Sequence, residues 1–467
     1  MNEKQIQDIV MQVMKEISFD DKPTADKKSL FGVFDSMEEA LAASEKAYKQ
    51  FRGYSVAQRE SMIKKIREKT IAEAETLAEM GVSETKMGRV TDKIIKHCLV
   101  ADKTPGTEDL NPTALTGDNG LTLIEMAPFG IIGSITPSTN PSETVICNSI
   151  GMLAAGNCVV FNPHPGAIRV SNYAVDLINR AVLEAGGPEN TVVSVKKPTI
   201  ETSNIMLKCP SVKLLVATGG PGVVKMLLSS GKKAIGAGAG NPPVIVDETA
   251  DIKKAARDII LGASFDNNLP CIAEKECFAI ESIKDELIHY MTKSGGFLIK
   301  GDDVDKLLKL ALTEKEGKYS LNKEWVGKDA LKFLEKLGIN APSDTKLIIC
   351  ETDFAHPFVF EELMMPIMPI VAVKDVDSAI EMAVKAEHGN RHSAHMHSKN
   401  VDNMTKFARA VETTIFVKNA PSYAGIGAGG EGHTTFTIAG PTGEGITSAK
   451  TFTRQRRCVL ADSFAII

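Results

Sequence analysis

This 467-residue chain is short of several things, and each shortage closes off a class of function. No apolar run approaches the ~18 residues that a membrane-spanning helix needs. A formal net charge of -5 offers no general attraction to nucleic acid or to an acidic membrane surface. Cysteines are few and scattered: Cys98, Cys147, Cys158, Cys209, Cys271, Cys277, Cys350 and Cys458 fall at irregular intervals, with no Cys-x-x-Cys and nothing like a signal peptide. Free thiols in a reducing, cytoplasmic compartment are the expectation. What is abundant is core material, since 43% of the residues are hydrophobic in a chain too long for one ordinary core. Two or three globular domains and small-molecule work follow as the default.

The first residues are patterned differently from the rest. Ile6, Ile9, Val10, Val13, Met14 and Ile17 recur at offsets of three and four, with Gln7, Asp8, Gln12, Lys15 and Glu16 on the other face. Residues 4–17 are therefore expected to form an amphipathic helix. The polar stretch 18–28 reads as its tether. A helix this short is marginal alone and wants something to cover its stripe, either a partner or its own domain.

From Leu30 the pattern becomes compact. Ser36-Met37-Glu38-Glu39 is a capping box ahead of Met37, Ala40, Leu41, Ala47, Tyr48 and Phe51 at helical spacing, and Ser55 is expected to start another helix. After about residue 123, short apolar strands alternate with helices: strands over 130–136, 158–161, 192–195, 214–217 and 234–236, with a helix over 143–155 among those between them. Such repetition implies an α/β architecture with an open parallel sheet. Ligands of such sheets sit at the carboxyl ends of strands, which directs attention to the turns 136–140, 162–165 and 218–220.

Two loud patterns carry less than their letters suggest. Gly427-Ala428-Gly429-Gly430-Glu431-Gly432 matches the dinucleotide fingerprint, but it runs into His433-Thr434-Thr435-Phe436-Thr437, which does not start a helix. The cluster His388, His392, His395 and His397 is interrupted by Gly389, Asn390 and Arg391 and has no cysteine nearby, so it makes no zinc site. His395 and His397 alternate along an expected strand as structural residues. Cys147, Cys158 and Cys350 lie in or beside apolar runs and read as core, and Cys277 as part of a strand. The charged segment 302–336 reads as solvated surface with Trp325 as its anchor.

Cys271 is different. It follows Phe265-Asp266-Asn267-Asn268-Leu269-Pro270, a run of turn formers, and precedes the more helical Ala273-Glu274-Lys275. A thiol presented on such a loop is a candidate nucleophile.

Several segments together resemble the aldehyde dehydrogenase superfamily: Pro128-Phe129-Gly130-Ile131-Ile132-Gly133-Ser134-Ile135-Thr136-Pro137, Ala154-Ala155-Gly156-Asn157-Cys158-Val159-Val160, and Glu362-Leu363-Met364-Met365-Pro366, where Met364 stands for the usual phenylalanine and Met365 for the glycine. The likeness covers residues 30–467. More narrowly, Thr116-Gly117-Asp118-Asn119, Ser138-Thr139-Asn140-Pro141, Gly238-Ala239-Gly240-Asn241-Pro242-Pro243 and Phe416-Val417-Lys418-Asn419 resemble the coenzyme A-acylating branch of bacterial microcompartments. Asn268-Leu269-Pro270-Cys271-Ile272-Ala273-Glu274-Lys275 and Pro421-Ser422-Tyr423-Ala424-Gly425 are similar to its propanal dehydrogenases.

The resemblance implies a Rossmann-like cofactor domain, an α/β catalytic domain and a small β oligomerisation arm. The boundaries expected from it are a targeting helix over 1–18, a linker over 19–29, a cofactor domain over 30–237 with arm strands near 115–128, a catalytic domain over 238–438, and a return over 439–467. It makes Cys271 the nucleophile toward an aldehyde. Asn140, with the Cys271 backbone N–H, holds the alkoxide; the family's spacing is one residue shorter, which leaves Thr139 as the alternative to Asn140. His392 assists proton transfer or holds the acyl oxygen, or else only shapes the pocket. Hydrolytic members carry a glutamate general base where this chain has Gly236 or Ala237, so the acyl acceptor implied is the thiol of coenzyme A rather than water.

For the cofactor, the amides of Thr218-Gly219-Gly220 can face a pyrophosphate at a helix start. Thr136, Pro137, Pro163, Gly238 and Met364 complete the expected binding set. The resemblance makes Glu362 the carboxylate on the nicotinamide ribose. The family's ribose lysine is Asn162 here, and its glutamate against a 2′-phosphate is Pro165. NAD is expected, with NADP not excluded by charge. The resemblance further implies a homodimer or homotetramer and a microcompartment lumen, with residues 1–18 binding a shell or cargo protein. The competing readings are an acetaldehyde-preferring enzyme, a hydrolytic aldehyde dehydrogenase, and a noncatalytic cargo protein.

Overall fold

The computed structural model describes residues 30–466, so the helix expected near the amino terminus lies outside the described residues. The described chain forms two units, each treated separately: a first unit of residues 30–84, 96–237 and 433–466, and a second of residues 85–95 and 238–432. The boundaries differ from the sequence expectation in two places. Residues 85–95 belong to the second unit, because the Gly88 N–H donates to the Gly327 carbonyl at 2.8 Å and the Lys93 ammonium meets the Asp266 carboxylate at 3.0 Å. The return begins at His433 rather than at residue 439, and the Thr434 N–H already donates to the Lys103 carbonyl at 3.0 Å.

Local signals explain the first helices. Ser36 Oγ accepts from the Glu39 N–H while Glu39 answers to the Ser36 N–H, and Ser55 and Gln58 repeat the exchange, so Met37–Phe51 and Val56–Ala72 both open with capping boxes. Each such cap stabilises by about 1 kcal/mol.

The first unit contains strands β1 (Val33–Phe34), β2 (Thr113–Gly117), β3 (Gly120–Pro128), β4 (Ile131–Ile135), β5 (Cys158–Asn162), β6 (Val192–Val195), β7 (Val212–Thr218) and β8 (Lys233–Ala237). Six form an all-parallel sheet in the order β1-β6-β5-β4-β7-β8. Strands β4, β5 and β6 are buried at every position, as sheets covered on both faces are. Along the chain the order grows from β4 outward through β5 and β6, then jumps back to β7 and β8, so the switch point lies at the carboxyl end of β4.

The second unit adds β9 (Pro243–Val246), β10 (Glu276–Ile280), β11 (Gly296–Ile299), a hairpin of β12 (Leu312–Lys315) and β13 (Lys318–Leu321), β14 (Leu347–Thr352), β15 (Ile367–Val373), β16 (Ser393–His397) and β17 (Ile415–Lys418). Seven of these form a second all-parallel sheet, β11-β14-β15-β10-β9-β16-β17. The segment 302–336 is not merely solvated surface: Val304, Leu307, Ala311, Phe333 and Leu334 are buried in a core of the second unit, and Trp325 packs on Phe333 with ring centroids 4.6 Å apart. Its charges mark the outer face of an amphipathic helix, Asp302–Ala311, whose inner face the charge count concealed.

A small pair, β18 (Ile438–Ala439) and β19 (Gly445–Ile446), precedes the last strand of the first unit, β20 (Thr453–Ala461). Strand β20 runs antiparallel to β3 over nine residue pairs, and β3 pairs with β2, giving an arm of order β2-β3-β20. All nine residues of β20 are at least partly exposed.

Candidate active site

Cys271 is held by an unusual backbone. Asp266, Asn267 and Asn268 all adopt left-handed conformations, with φ of 47°, 56° and 65°. Asp and Asn tolerate this region better than other side-chain residues, and here each side chain also ties the loop down. Asp266 Oδ1 accepts from the Arg89 N–H at 2.8 Å and its Oδ2 pairs with buried Lys93. Asn267 Nδ2 donates to the Gly327 carbonyl at 2.9 Å, and Asn268 Nδ2 to the carbonyls of Ala263 and Glu274 at 2.8 and 3.0 Å. Lys275 closes the loop from inside: its buried ammonium donates to the Asn268 carbonyl and Oδ1 and to the Pro270 carbonyl. Ala273-Glu274-Lys275, expected to be more helical, is instead a turn leading straight into β10, because these buried contacts override its helix propensity.

Around Cys271 the second unit gathers loops that precede strands, not loops that follow them. Gly240 precedes β9, Cys271 precedes β10, Glu362 precedes β15 and His392 immediately precedes β16. Packing is so close that a Cβ on Gly240 would lie 2.7 Å from the Cys271 carbonyl oxygen and 2.9 Å from His392 Cγ. Glycine is needed there for space, since any side chain collides with the backbone.

The electrostatics are mixed. Burial pushes the Cys271 thiol up to about 12, with the Glu362 carboxylate adding to the rise; Lys275 and the N–H groups of Cys271 and Ile272 act the other way. Glu362, itself lifted to about 7 by burial, is opposed by Lys275 and by a hydrogen bond from the Gly240 N–H. The Lys275 ammonium is lowered by desolvation and supported by Glu362, Cys271, Glu276 and Glu274. His392 is lowered to about 4 by burial, with Lys275 adding to the fall, so the imidazole is neutral at pH 7. One ring nitrogen, Nδ1, sits 2.8 Å from Ser393 Oγ, while Nε2 has no hydrogen-bond partner among the described residues. His395 lies in β16 as expected, with Nε2 2.9 Å from the Ile272 carbonyl, where its ring supports the residue next to the nucleophile.

In the first unit, Asn140 occupies the N-cap position of the helix Pro141–Ala154, just past β4, without a side-chain cap bond. Its Oδ1 accepts from the fully buried Lys96 ammonium at 2.6 Å, and Lys96 also pairs with buried Glu143 at 2.8 Å. Thr136 directly follows β4, with a buried hydroxyl that has no hydrogen-bond partner among the described residues. Thr218 closes β7, its Oγ1 2.9 Å from that of Thr437. Gly219 and Gly220 then lead into the helix Pro221–Leu228, which has no side-chain cap, and added Cβ atoms at Gly220 and Gly222 would meet open space. An orphaned hydroxyl and uncapped amides beside bare glycines fit a dinucleotide's phosphates.

Other sequence candidates are placed less directly. Asn162 is buried with its amide engaged, Nδ2 donating to Ser203 Oγ and Oδ1 accepting from Thr202 Oγ1, both at 2.7 Å. Pro163 follows it in the turn and Pro137 follows Thr136. Met364 adopts a left-handed φ of 49° and packs on a core of the second unit, while Gly238 lies in the segment between β8 and β9. The sequence reading missed Lys96, Glu143, Lys275 and the buried Glu276, whose charges read as surface until folding supplies the partners that enclose them.

The aldehyde dehydrogenase family profile matches residues 33–452. The chain belongs to the aldehyde dehydrogenase family. Among curated relatives, this aldehyde dehydrogenase is 48% identical over 470 residues to the acetaldehyde dehydrogenase (acetylating) EutE of Escherichia coli, covering both chains fully. Among solved structures it is similar to a propionaldehyde dehydrogenase from the Clostridium phytofermentans fucose utilisation bacterial microcompartment, at 60% identity and a TM-score of 0.92, covering 94% of this chain and 100% of that one. A Rhodopseudomonas palustris propionaldehyde dehydrogenase, solved with bound CoA and an acylated cysteine, is 54% identical with a TM-score of 0.90, over 92% of this chain and 98% of that one. Both parallel sheets of this aldehyde dehydrogenase accord with that family fold.

Proposed function

We propose that this aldehyde dehydrogenase is of the coenzyme A-acylating kind, oxidising propanal or acetaldehyde with a nicotinamide dinucleotide and delivering the acyl group to coenzyme A. The observation that carries this reading is the crowding at Gly236, one of the two positions implied for the general base of hydrolytic relatives. A Cβ there would stand 2.7 Å from Val224 Cγ1, and the Gly236 N–H donates to Thr442 Oγ1 at 3.1 Å. The neighbouring Ala237 is buried and carries no proton acceptor. Water finds no base at either position, whereas a thiol needs less help because its thiolate is intrinsically nucleophilic. The acetylating name of one relative and the bound CoA of another support the same acceptor.

In the reaction the Cys271 thiolate forms a C–S bond to the aldehyde carbon, and the carbonyl electrons move onto oxygen. The Asn140 amide and the Cys271 N–H donate to that alkoxide, and such donors are worth about 10²–10³ in rate. Nicotinamide, when bound, supplies the hydride acceptor. Residues Thr136, Pro137, Asn162, Pro163, Thr218, Gly219, Gly220, Gly238 and Met364 form its binding surface, with Glu362 on the ribose. Reforming the carbonyl leaves an acyl thioester on Cys271. Attack by the thiolate of coenzyme A gives a second alkoxide, which collapses by expelling the Cys271 thiolate. Exchange of thioester for thioester is nearly balanced, so the enzyme runs in both directions. His392, neutral and with no partner at Nε2 among the described residues, assists proton transfer as the coenzyme A thiol ionises or holds the acyl oxygen.

Residues 1–18 are proposed as an encapsulation segment that docks on a shell or cargo protein and brings the enzyme into a microcompartment lumen, and the β2-β3-β20 arm as the dimer or tetramer contact. The microcompartment origin of a 60% identical structure supports this setting. The test is reduction of NAD by propanal with and without coenzyme A, in the parent and in Cys271→Ala. A single burst without coenzyme A, sustained turnover with it and silence in the alanine variant are expected; equal rates without coenzyme A would overturn the acyl transfer. Deleting residues 1–18 should abolish compartment loading and leave turnover intact, and loading that survives the deletion would overturn the tag.

A further inference from the structure

Asn140 does not do what an asparagine at a helix start ordinarily does. An N-cap side-chain oxygen normally turns to the N–H of the second or third helical residue. Here the helix Pro141–Ala154 receives no side-chain cap. The Asn140 carbonyl still accepts from the Thr144 N–H and hydroxyl, at 3.1 and 2.6 Å, but the side-chain oxygen points to Lys96 Nζ at 2.6 Å. Lys96 and Glu143 are both fully buried, 2.8 Å apart, and the ammonium also lies 5.8 Å from the centroid of the Phe436 ring. A buried ion pair is a poor source of stability, so its presence asks for another purpose.

We infer that Lys96, neutralised by Glu143, is a positioning residue that orients and polarises the Asn140 amide so that Nδ2 faces the reacting oxygen. The inference rests on the reading of Asn140 as the alkoxide donor given above. An ammonium only donates, so the amide oxygen must be the atom that meets it, whichever way an unassigned amide might have been drawn. That leaves Nδ2 as the outward group. Among the described residues its one acceptor is Thr139 Oγ1 at 3.4 Å, too long for a strong bond, and a substrate oxygen competes well for it. Pulling electron density toward a bonded cation at Oδ1 also makes the amide N–H groups more acidic, hence better donors to an alkoxide.

The test uses the full chain and two readouts: the burst of reduced cofactor formed from propanal without coenzyme A, and the rate at which iodoacetamide alkylates Cys271. Alkylation develops no alkoxide and should ignore this cluster. Removing both charges in Lys96→Met/Glu143→Met avoids leaving one buried and unpaired, which protects folding. The burst rate of this variant should fall roughly ten- to a hundred-fold, the range of a lost charge-assisted hydrogen bond, with alkylation unchanged. Added to Asn140→Ala, the double change should cost nothing more. Lys96→Gln/Glu143→Gln, which also removes both charges but keeps an amide at position 96 to donate to Oδ1, should lose less than the methionine pair.

A parent-like burst in the methionine pair, beside a slow Asn140→Ala, would overturn the role of Lys96 and leave Asn140 standing. A parent-like burst in Asn140→Ala would instead overturn the reading on which it rests. Losses that multiply in the combined variant, an alkylation rate that changes in step with the burst, or a Lys96→Gln/Glu143→Gln at least as slow as the methionine pair would each overturn the inference as well.

Discussion

Adding one methyl group at Gly240 should disable the enzyme out of proportion to its effect on folding. The new Cβ would stand about 0.7 Å inside ordinary contact with the Cys271 carbonyl oxygen and about 0.5 Å inside contact with the His392 ring. Neither neighbour yields cheaply. The Cys271 carbonyl belongs to a loop fixed by Asn268, Lys275 and three left-handed residues, and His392 is held through its N–H by Glu387 Oε1 at 2.9 Å. Overpacking of this kind costs about 1–3 kcal/mol, a drop of only a few degrees in melting temperature for a chain of this size. Catalysis is less forgiving, since a misplacement of about 1 Å at a reacting group costs roughly 10²-fold. Gly240→Ala should therefore lower kcat for acyl-CoA formation by about one to two orders of magnitude. The Gly240 N–H that serves Glu362 moves with it, so the Michaelis constant for the dinucleotide should rise too. The assay is steady-state NADH formation with propanal and coenzyme A, beside a thermal melt. A variant with parental kcat and a lowered melting temperature would refute the claim that this contact sets the position of the nucleophile.

Glu362→Gln removes a negative charge that raises the Cys271 thiol, so iodoacetamide alkylation at pH 8 should accelerate and its pH midpoint move down; a midpoint that stays or rises contradicts the stated coupling. Lys93→Met leaves Asp266 buried without its cation and should cost about 3–5 kcal/mol, measured by denaturant unfolding, with a loss below 1 kcal/mol counting against a structural role for the pair. His395 is lowered to about 3 by burial, so the unfolded chain binds its proton first and this residue's contribution is complete above pH 6.5 and declines as the pH falls toward 3. The stability advantage of the parent over His395→Gln should thus be about 2 kcal/mol smaller at pH 5 than at pH 7; an advantage that grows on acidification reverses the sign and sinks the argument.

The alternation of strands and helices made the first sheet legible, because each buried strand is a short apolar run ended by turn residues. The turns picked out by the strand-end rule, Thr136 to Asn140 and Thr218 to Gly220, do follow the strands β4 and β7 of that sheet. The second unit follows a different logic. Its loops around Cys271 enter strands rather than leave them, so the same rule could not find Glu362, and the motif resemblance had to. Buried charge was the least legible feature. Lys93 and Asp266 are 173 residues apart, and Lys96 and Asn140 44 apart, so no local pattern tells such lysines from solvated ones. One cue existed in the run Glu274-Lys275-Glu276, where three charges directly precede the apolar strand residues Cys277 to Ile280 and all three are buried. The left-handed run before Cys271 was half legible: Asp and Asn advertise tolerance of positive φ, but three in succession is a demand set by tertiary contacts.

The crowding at Gly236 has an evolutionary side. Were a glutamate absent from this position with nothing in its place, one substitution would supply the base that hydrolysis needs. With Val224 occupying the volume where a side chain would begin, a lone return to glutamate is penalised before it confers any new chemistry. Val224 would have to change with it, whereas the Thr442 hydroxyl is bonded to the backbone N–H, which a side chain would leave in place. At Gly236, packing itself opposes any single substitution that would add a side chain.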